Sequence, residues 1–283
     1  MKKEEDWDLV ISSENRWWNL NLSGLWKYRD LIRLFVYRDI VAKYKQTILG
    51  PLWHIIQPLF STFVFSVVFG NFAKIPTDGI PHIAFYMSGI VLWGYFSNSL
   101  LGTSNTFVSN SAIFGKVYFP RLTVPVSVII SNLIQLGIQS SLFVIIWVYY
   151  RSQGTIPSLN FAYLPLVPLL IVQLGVLGLS FGILVSSLVT KYRDFTYLIG
   201  FGVQLWMYAS PVVYPLAEVP VDMRKYVDWN PIVQILEVFR FIFFGKGTVN
   251  LQSYLFGWFI TLLVLTFGVF LFNKIEKTFV DTV

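Results

Sequence analysis

Six stretches of twenty or more residues carry no charged side chain, and a chain built this way has few ways to fold. They are residues 52–73, 81–107, 122–149, 162–189, 195–214 and 252–272, and none contains Asp, Glu, Lys or Arg. Crossing a bilayer core takes about 20 apolar residues per helix, and inside lipid every backbone N–H and C=O must find a partner within the protein. Trp53, Tyr149, Tyr150 and Tyr254 sit at the ends of these stretches, where amphipathic rings favour the headgroup layer. Charged residues make up 13% of the chain, about half the ~25% of a soluble domain, which is too little to cover a water-facing surface. The sequence predicts an all-α integral membrane protein with six transmembrane helices, in which membrane lipid is the principal solvent.

Six spans place both termini on one side. Fifteen of the 21 Lys and Arg residues fall on that side: nine within residues 1–45, then Lys116, Arg121, Lys191, Arg193, Lys274 and Lys277. The other side has Lys74, Arg151, Arg224, Lys225, Arg240 and Lys246. Positive charge accumulates on the cytoplasmic side, so both termini are expected there. The net charge of +6 is thus explained by a membrane surface, with no call for nucleic acid. The opening MKKEEDWDLV has no apolar core of the kind a cleaved signal peptide needs.

Two segments outside the spans carry information. Residues 1–46 are expected to form an N-terminal cytoplasmic segment ahead of a transmembrane domain at 47–283. Within it, 24–46 read as a helix whose Tyr28, Leu31, Ile32 and Phe35 make one apolar stripe, with Lys27, Arg29, Asp30 and Arg33 off it. Such a basic amphipathic helix lies along a membrane interface, or else is an ordinary surface helix. Residues 216–246, between spans five and six, mix short apolar runs with charges. Re-entrant outer helices that dip partly into the membrane fit this pattern, provided they pack on protein; a plain external loop is the alternative.

The missing chemistry is equally restrictive. Ion-coupled transport generally needs ionisable groups inside the membrane, and the six spans have none. The chain has no Cys and only two His, His54 and His82, so no metal site and no catalytic residue is expected, with His54 taken as structural. No stretch fits the phosphate-cradling GxxxxGK[ST] loop: FGKG at 244–247 lacks the hydroxyl residue. The chain is therefore expected not to be an enzyme, and any ATP-driven work would fall to a partner.

Inside the membrane there remain neutral polar groups, glycines and aromatic rings. Asn98 and Asn105 are seven residues apart in the second span, a spacing that shares one helix face, either wet or hydrogen-bonded across helices. Gly175, Gly178 and Gly182 in the fourth span favour close helix packing. Pro58 and Pro125 are expected to kink the first and third spans. Trp93, Trp206, Tyr208 and Tyr214 are candidates to line a path for sugars, whose C–H faces pack on rings, or alternatively to anchor the lipid interface.

The junction RDIVAKYKQTILGPLWHIIQPL at 38–59, with FGKVYFPR at 114–121, KYRDF at 191–195, SPVVYP at 210–215 and NPIV at 230–233 followed by Arg240, resembles the polysaccharide and polyol-phosphate export permeases. These are the membrane subunits of ATP-binding-cassette exporters, the Wzm-like O-antigen transporters among them. The motifs occur in family order over almost the whole chain.

The resemblance implies a homodimer of permeases with two ATPase subunits, which alone bind ATP and magnesium, in a bacterial inner membrane. It implies that 110–121, with Asn110, Gly115, Lys116, Pro120 and Arg121, docks on the ATPase, and that Lys191, Arg193 and Asp194 make a second, smaller contact. It places Arg38, Asp39, Tyr44, Lys45 and Gly50 at the gate for an incoming lipid-linked polysaccharide, and makes 216–246 the helices of the outer exit. O-antigen polysaccharide is the expected cargo, ahead of teichoic acid, capsule, and drug or lipid; a non-transporting membrane scaffold is the reading from another class.

Overall fold

The computed structural model describes residues 22–45, 48–117 and 119–282, with side chains given for 24–43, 45, 48–117 and 119–274. Residues 1–21 and the side chains of Tyr44 and Lys277 therefore lie outside the described part. The described residues contain helices and connecting turns. In order, the helices are α1 (Leu22–Lys27), α2 (Arg29–Tyr44), α3 (Trp53–Phe65), α4 (His82–Ser104), α5 (Thr106–Phe114), α6 (Thr123–Ser152), α7 (Leu166–Lys191), α8 (Phe195–Tyr208), α9 (Val221–Val227), α10 (Pro231–Phe244) and α11 (Leu251–Thr282). Among the described residues, four helical stretches are long and apolar enough to cross a membrane: Gly50–Phe72, Thr123–Ser152, Leu166–Lys191 and Leu251–Lys274.

Of the remaining two expected spans, α4 is a continuous helix whose apolar sequence is broken by the polar Ser97, Asn98, Ser99, Thr103 and Ser104. Helix α8 has 14 residues, about 21 Å at 1.5 Å per residue, and it stops at Tyr208 rather than Tyr214. Pro211 explains the early stop, because proline has no N–H to give and pushes the preceding residue out of helical geometry. Pro58 lies inside α3, and the helix relaxes into a π-helical turn over Ser66–Phe72. Pro125 differs from expectation: α6 begins at Thr123, so the proline sits in the first turn, where no helical donor is lost and no kink is needed.

Helix α4 is the hub. Its contact with α7 is set by three glycines whose missing side chains let the backbones meet. A Cβ on Gly175 would lie 2.5 Å from the Tyr95 hydroxyl, one on Gly178 2.8 Å from Ser99 Cβ, and one on Gly182 2.5 Å from Thr103 Cβ and 2.8 Å from the Leu100 carbonyl. The small-residue seam read from the sequence is thus the α4–α7 interface. The partners ascend together, so the two helices run parallel. Gly257 opposite Gln173 and Gly268 opposite Ser180 make α11 parallel to α7, while Gly94 opposite Gln139 and Gly102 opposite Val128 make α6 antiparallel to α4. One end of the bundle therefore gathers α2, α5, the 191–195 link and the far part of α11. The opposite end gathers the 74–81, 153–165 and 209–250 connections.

At that opposite end, α10 is no external loop: twelve of its 14 residues are buried. Asn230 caps it by accepting from the Ile232 N–H at 3.1 Å, and Gly245 closes it in the left-handed conformation at φ 62°. Trp147 of α6 donates to the Phe243 carbonyl at 2.7 Å. Along its buried length lie Glu237 and Arg240, 3% and 2% exposed, with Arg240 Nη1 3.7 Å from Glu237 Oε1. The guanidinium stacks 3.8 Å from the Phe85 ring centroid and donates to the Val212 carbonyl at 3.3 Å. Glu237 Oε2 accepts the Thr248 N–H at 3.1 Å. Burial pushes the carboxyl up and the guanidinium down, and each partner opposes the shift in the other.

Two outcomes follow for thermal unfolding of the purified protein. G182A should lose about 1–3 kcal/mol, the usual cost of overpacking. G137A, where a Cβ meets nothing within 4 Å, should be neutral or gain up to about 1 kcal/mol, the helical preference of Ala over Gly; equal behaviour of the two contradicts the seam. E237L should cost about 3–5 kcal/mol by stranding a buried cation, and E237L/R240M should recover much of that loss.

Candidate functional site

The expected gate and the expected ATPase-docking segment meet at one residue. The stripe of α2 places Phe35, 5% exposed, against Phe119 at 5.6 Å. Phe119 and Phe107 each pack on Phe114, at 5.6 and 5.8 Å, and Phe107 reaches Phe272 of α11 at 4.7 Å. Tyr28 and Leu31 pack on the same cluster, while Leu34 and Tyr37 face outward, 60% and 68% exposed. One turn beyond Phe35, the Arg38 guanidinium lies 4.8 Å over the Phe35 ring. It donates to Asp39 Oδ1 from Nε at 3.0 Å and Nη2 at 2.8 Å, and from Nη1 to Asn110 Oδ1 at 3.3 Å.

Asn110 is set up for that role. Its backbone at φ −119°, ψ 15° interrupts α5, and its amide nitrogen donates to the Thr106 carbonyl at 3.0 Å, which aims the oxygen at Arg38. Beyond α5 the chain turns outward. Gly115 and Lys116 are exposed, whereas Pro120 and Arg121 are half-buried, with Arg121 5.6 Å over the Phe114 ring. Lys191, Arg193 and Asp194 are exposed at the same end of the bundle, with the Lys191 ammonium 5.2 Å over the Tyr192 ring.

Asp39 also forms part of a cavity of about 440 Å³ between four helices. Helix α2 contributes Asp39 and Lys43, α3 His54 and Gln57, α4 Asn98, Leu101 and Gly102, and α6 Val128, Ser131, Asn132 and Gln135. The Asn132 amide donates to Ser99 Oγ at 3.4 Å. The Ser131 hydroxyl is buried without a partner. Desolvation draws the Lys43 ammonium down, and Asp39 one turn before it opposes that shift. Among the other gate residues, Lys45 is exposed, and Gly50 turns the chain into α3 at φ 45°, a conformation that disfavours any side chain.

Of the residues expected to line a path, Asn98 alone borders this cavity. Trp93, 6% exposed, and Trp206 pack with Phe96 and Phe181 at 5.0–6.3 Å between α4, α7 and α8. Tyr208 is 43% exposed and Tyr214 is half-buried. Asn105 lies beyond the end of α4 and donates to its own Leu101 carbonyl at 3.0 Å, so it does not share a cavity wall with Asn98. Among the described residues, no group of three or more His, Cys, Asp and Glu can hold a metal ion.

Sequence reasoning missed the cavity's Lys43, Gln57, Ser131, Asn132 and Gln135, and it missed the buried Glu237–Arg240 pair. The pair had a signal, opposite charges three residues apart in an apolar run. The cavity had a weaker one in the polar residues of the third stretch.

Residues 30–244 match the model of the family described as ABC-2 type transporter. The chain is 24% identical over 253 residues to an O-antigen export system permease protein RfbA of Klebsiella pneumoniae, covering 89% of this chain and 94% of that protein. It is 23% identical over 256 residues to the capsule polysaccharide export inner-membrane protein CtrC of Neisseria meningitidis serogroup A, covering 85% and 88%. It is 20% identical over 222 residues to the polysialic acid transport protein KpsM of Escherichia coli, covering 77% and 83%. The chain belongs to the ABC-2 type transporter family.

Proposed function

We propose that this chain is the membrane-spanning permease subunit of an ATP-driven exporter that carries lipid-linked polysaccharide of the O-antigen type out of the cytoplasm. The observation that carries this reading is the match, over most of the chain, to three kinds of polysaccharide export protein. The O-antigen permeases, at 24–26% identity, stand above the capsule and polysialic acid proteins at 20–23%, which favours the first cargo.

In this reading α4 and α8 complete six spans, both termini face the cytoplasm of a bacterial inner membrane, and α9–α10 form the re-entrant pair at the outer exit. Two copies assemble with two ATPase subunits, which supply all nucleotide chemistry. The apolar faces of α3 (Phe60 68%, Phe63 62% exposed) and α8 (Tyr197 83%, Phe201 59% exposed) support a surface met by lipid or by the second copy, with the channel between copies.

Coupling then has a physical route. Closure of the ATPase dimer pushes on Gly115, Lys116 and their neighbours, and secondarily on Lys191–Asp194. Asn110 passes the displacement to Arg38, and Arg38 to Asp39 at the cavity wall. The Arg38–Asp39 pair is 40% and 20% exposed, so it is worth at most about 1 kcal/mol to stability, and its value lies in fixed direction.

Two experiments test this. K116E should reduce export of the glycan at least about tenfold, the effect of losing roughly 1.4 kcal/mol at the contact, with the permease still present in the membrane; undiminished export removes Lys116 from the docking surface. N110L should leave ATP hydrolysis by the assembled complex running while export falls, and N110D, which keeps an acceptor for Arg38, should restore export. Equal export by the two variants contradicts the route through Asn110.

A further inference from the structure

The cavity between α2, α3, α4 and α6 divides into two chemical zones. At its α2 edge stand one acid and one base, Asp39 and Lys43, whose charges cancel. The other walls carry no fixed charge: Gln57, Asn98, Asn132 and Gln135 bring four carboxamides, Ser131 a hydroxyl and His54 an imidazole, while Leu101 and Val128 supply apolar surface. A carboxamide offers both donors and an acceptor, so four of them converging on one volume suit a ligand that both donates and accepts at many points. A ligand bearing several negative charges would call for guanidinium groups or an excess of lysines, and the interior walls have neither.

The Ser131 hydroxyl strengthens the case. Ser131 is 6% exposed and its oxygen is unpartnered, against the general rule that buried polar groups find a hydrogen bond. Nearby Asn132 is held by Ser99, so this wall is fixed before any ligand arrives. The volume of about 440 Å³ falls within the range of roughly 300–1,000 Å³ typical of small-molecule sites.

We propose that this cavity is a saccharide-binding site that takes a short neutral pyranose segment. Its hydroxyls meet Gln57, Asn98, Ser131 and Gln135, its C–H face rests on Leu101 and Val128, and anionic groups stay outside. The assignment rests on the export reading for one point only, that the sugar belongs to the exported glycan. The cavity then engages the start of the chain, and displacement of Asp39 through Arg38 alters its shape during the transport stroke.

The absence of cysteine from the chain gives a clean test, because S131C introduces the only thiol of the permease chain, read there by labelling of that subunit. The permease with its ATPase is placed in lipid nanodiscs free of glycoside detergent. The rate of thiol modification by a small methanethiosulfonate is then read with methyl mannoside, glucoside, galactoside or rhamnoside, or with inorganic pyrophosphate. At least one glycoside should slow modification saturably, about fivefold at several times its dissociation constant. Adding Q135L should abolish that protection, and pyrophosphate should give none. N98C, on the facing wall, gives the same readout should S131C not fold.

Protection by pyrophosphate alone overturns the proposal in favour of an anion site. Absence of protection by every probe overturns it as a ligand site. ATP-driven glycan export by the unsubstituted complex separates the two levels: export without protection sinks the saccharide site alone, and protection without export sinks the permease reading alone.

Discussion

The backbone contact between α4 and α7 fixes most of what surrounds it. Where Gly178 and Gly182 stand, a Cβ would overlap Ser99 and Thr103, so two parallel helices touch with nothing between them. In lipid no hydrophobic force drives helices together, and such close packing supplies the attraction instead. With one face of α4 committed to α7, its remaining faces meet α3, α6 and α8. Trp93 and Phe96 fill the α8 side, and Asn98 is left on the side that opens into the cavity.

Charge is distributed by a similar logic. The Arg38–Asp39–Asn110 contacts are partly exposed and so contribute little to stability. They join the end of the bundle that carries the exposed Lys116 to the wall of the cavity. The Glu237–Arg240 pair is fully enclosed, and its desolvation cost is offset in part by the Phe85 ring, the Val212 carbonyl and the Thr248 N–H, while Arg240 Nε and Nη1 make no hydrogen bond. The first pair is partly exposed and the second enclosed, so the two ends of the bundle hold their charges under different constraint.

Much of this was legible in the sequence. Charge-free stretches located the four long apolar helical stretches to within a few residues, the glycine spacing of 175, 178 and 182 named the tightest interface, and the apolar stripe ending at Phe35 identified the face of α2 that packs. The misreadings have separable causes. Hydropathy alone extended α8 to Tyr214, although Pro211 ends it at Tyr208. The helical period put Asn105 on a face with Asn98, although α4 stops at Ser104. The sequence placed Arg240 in short outer helices without foreseeing its full burial, because burial of a short helix depends on what covers it. Of the cavity only Asp39 and Asn98 were singled out, since its walls come from four helices and no local pattern records which side chains of different helices converge.

The most direct measurement is transport itself. In proteoliposomes that hold the purified permease with its ATPase and a lipid-linked O-antigen glycan, ATP should drive the glycan across the bilayer, and permease alone should move none. Glycan movement at the same rate without the ATPase, or none with both subunits and ATP present, would contradict a permease powered by its nucleotide-binding partner.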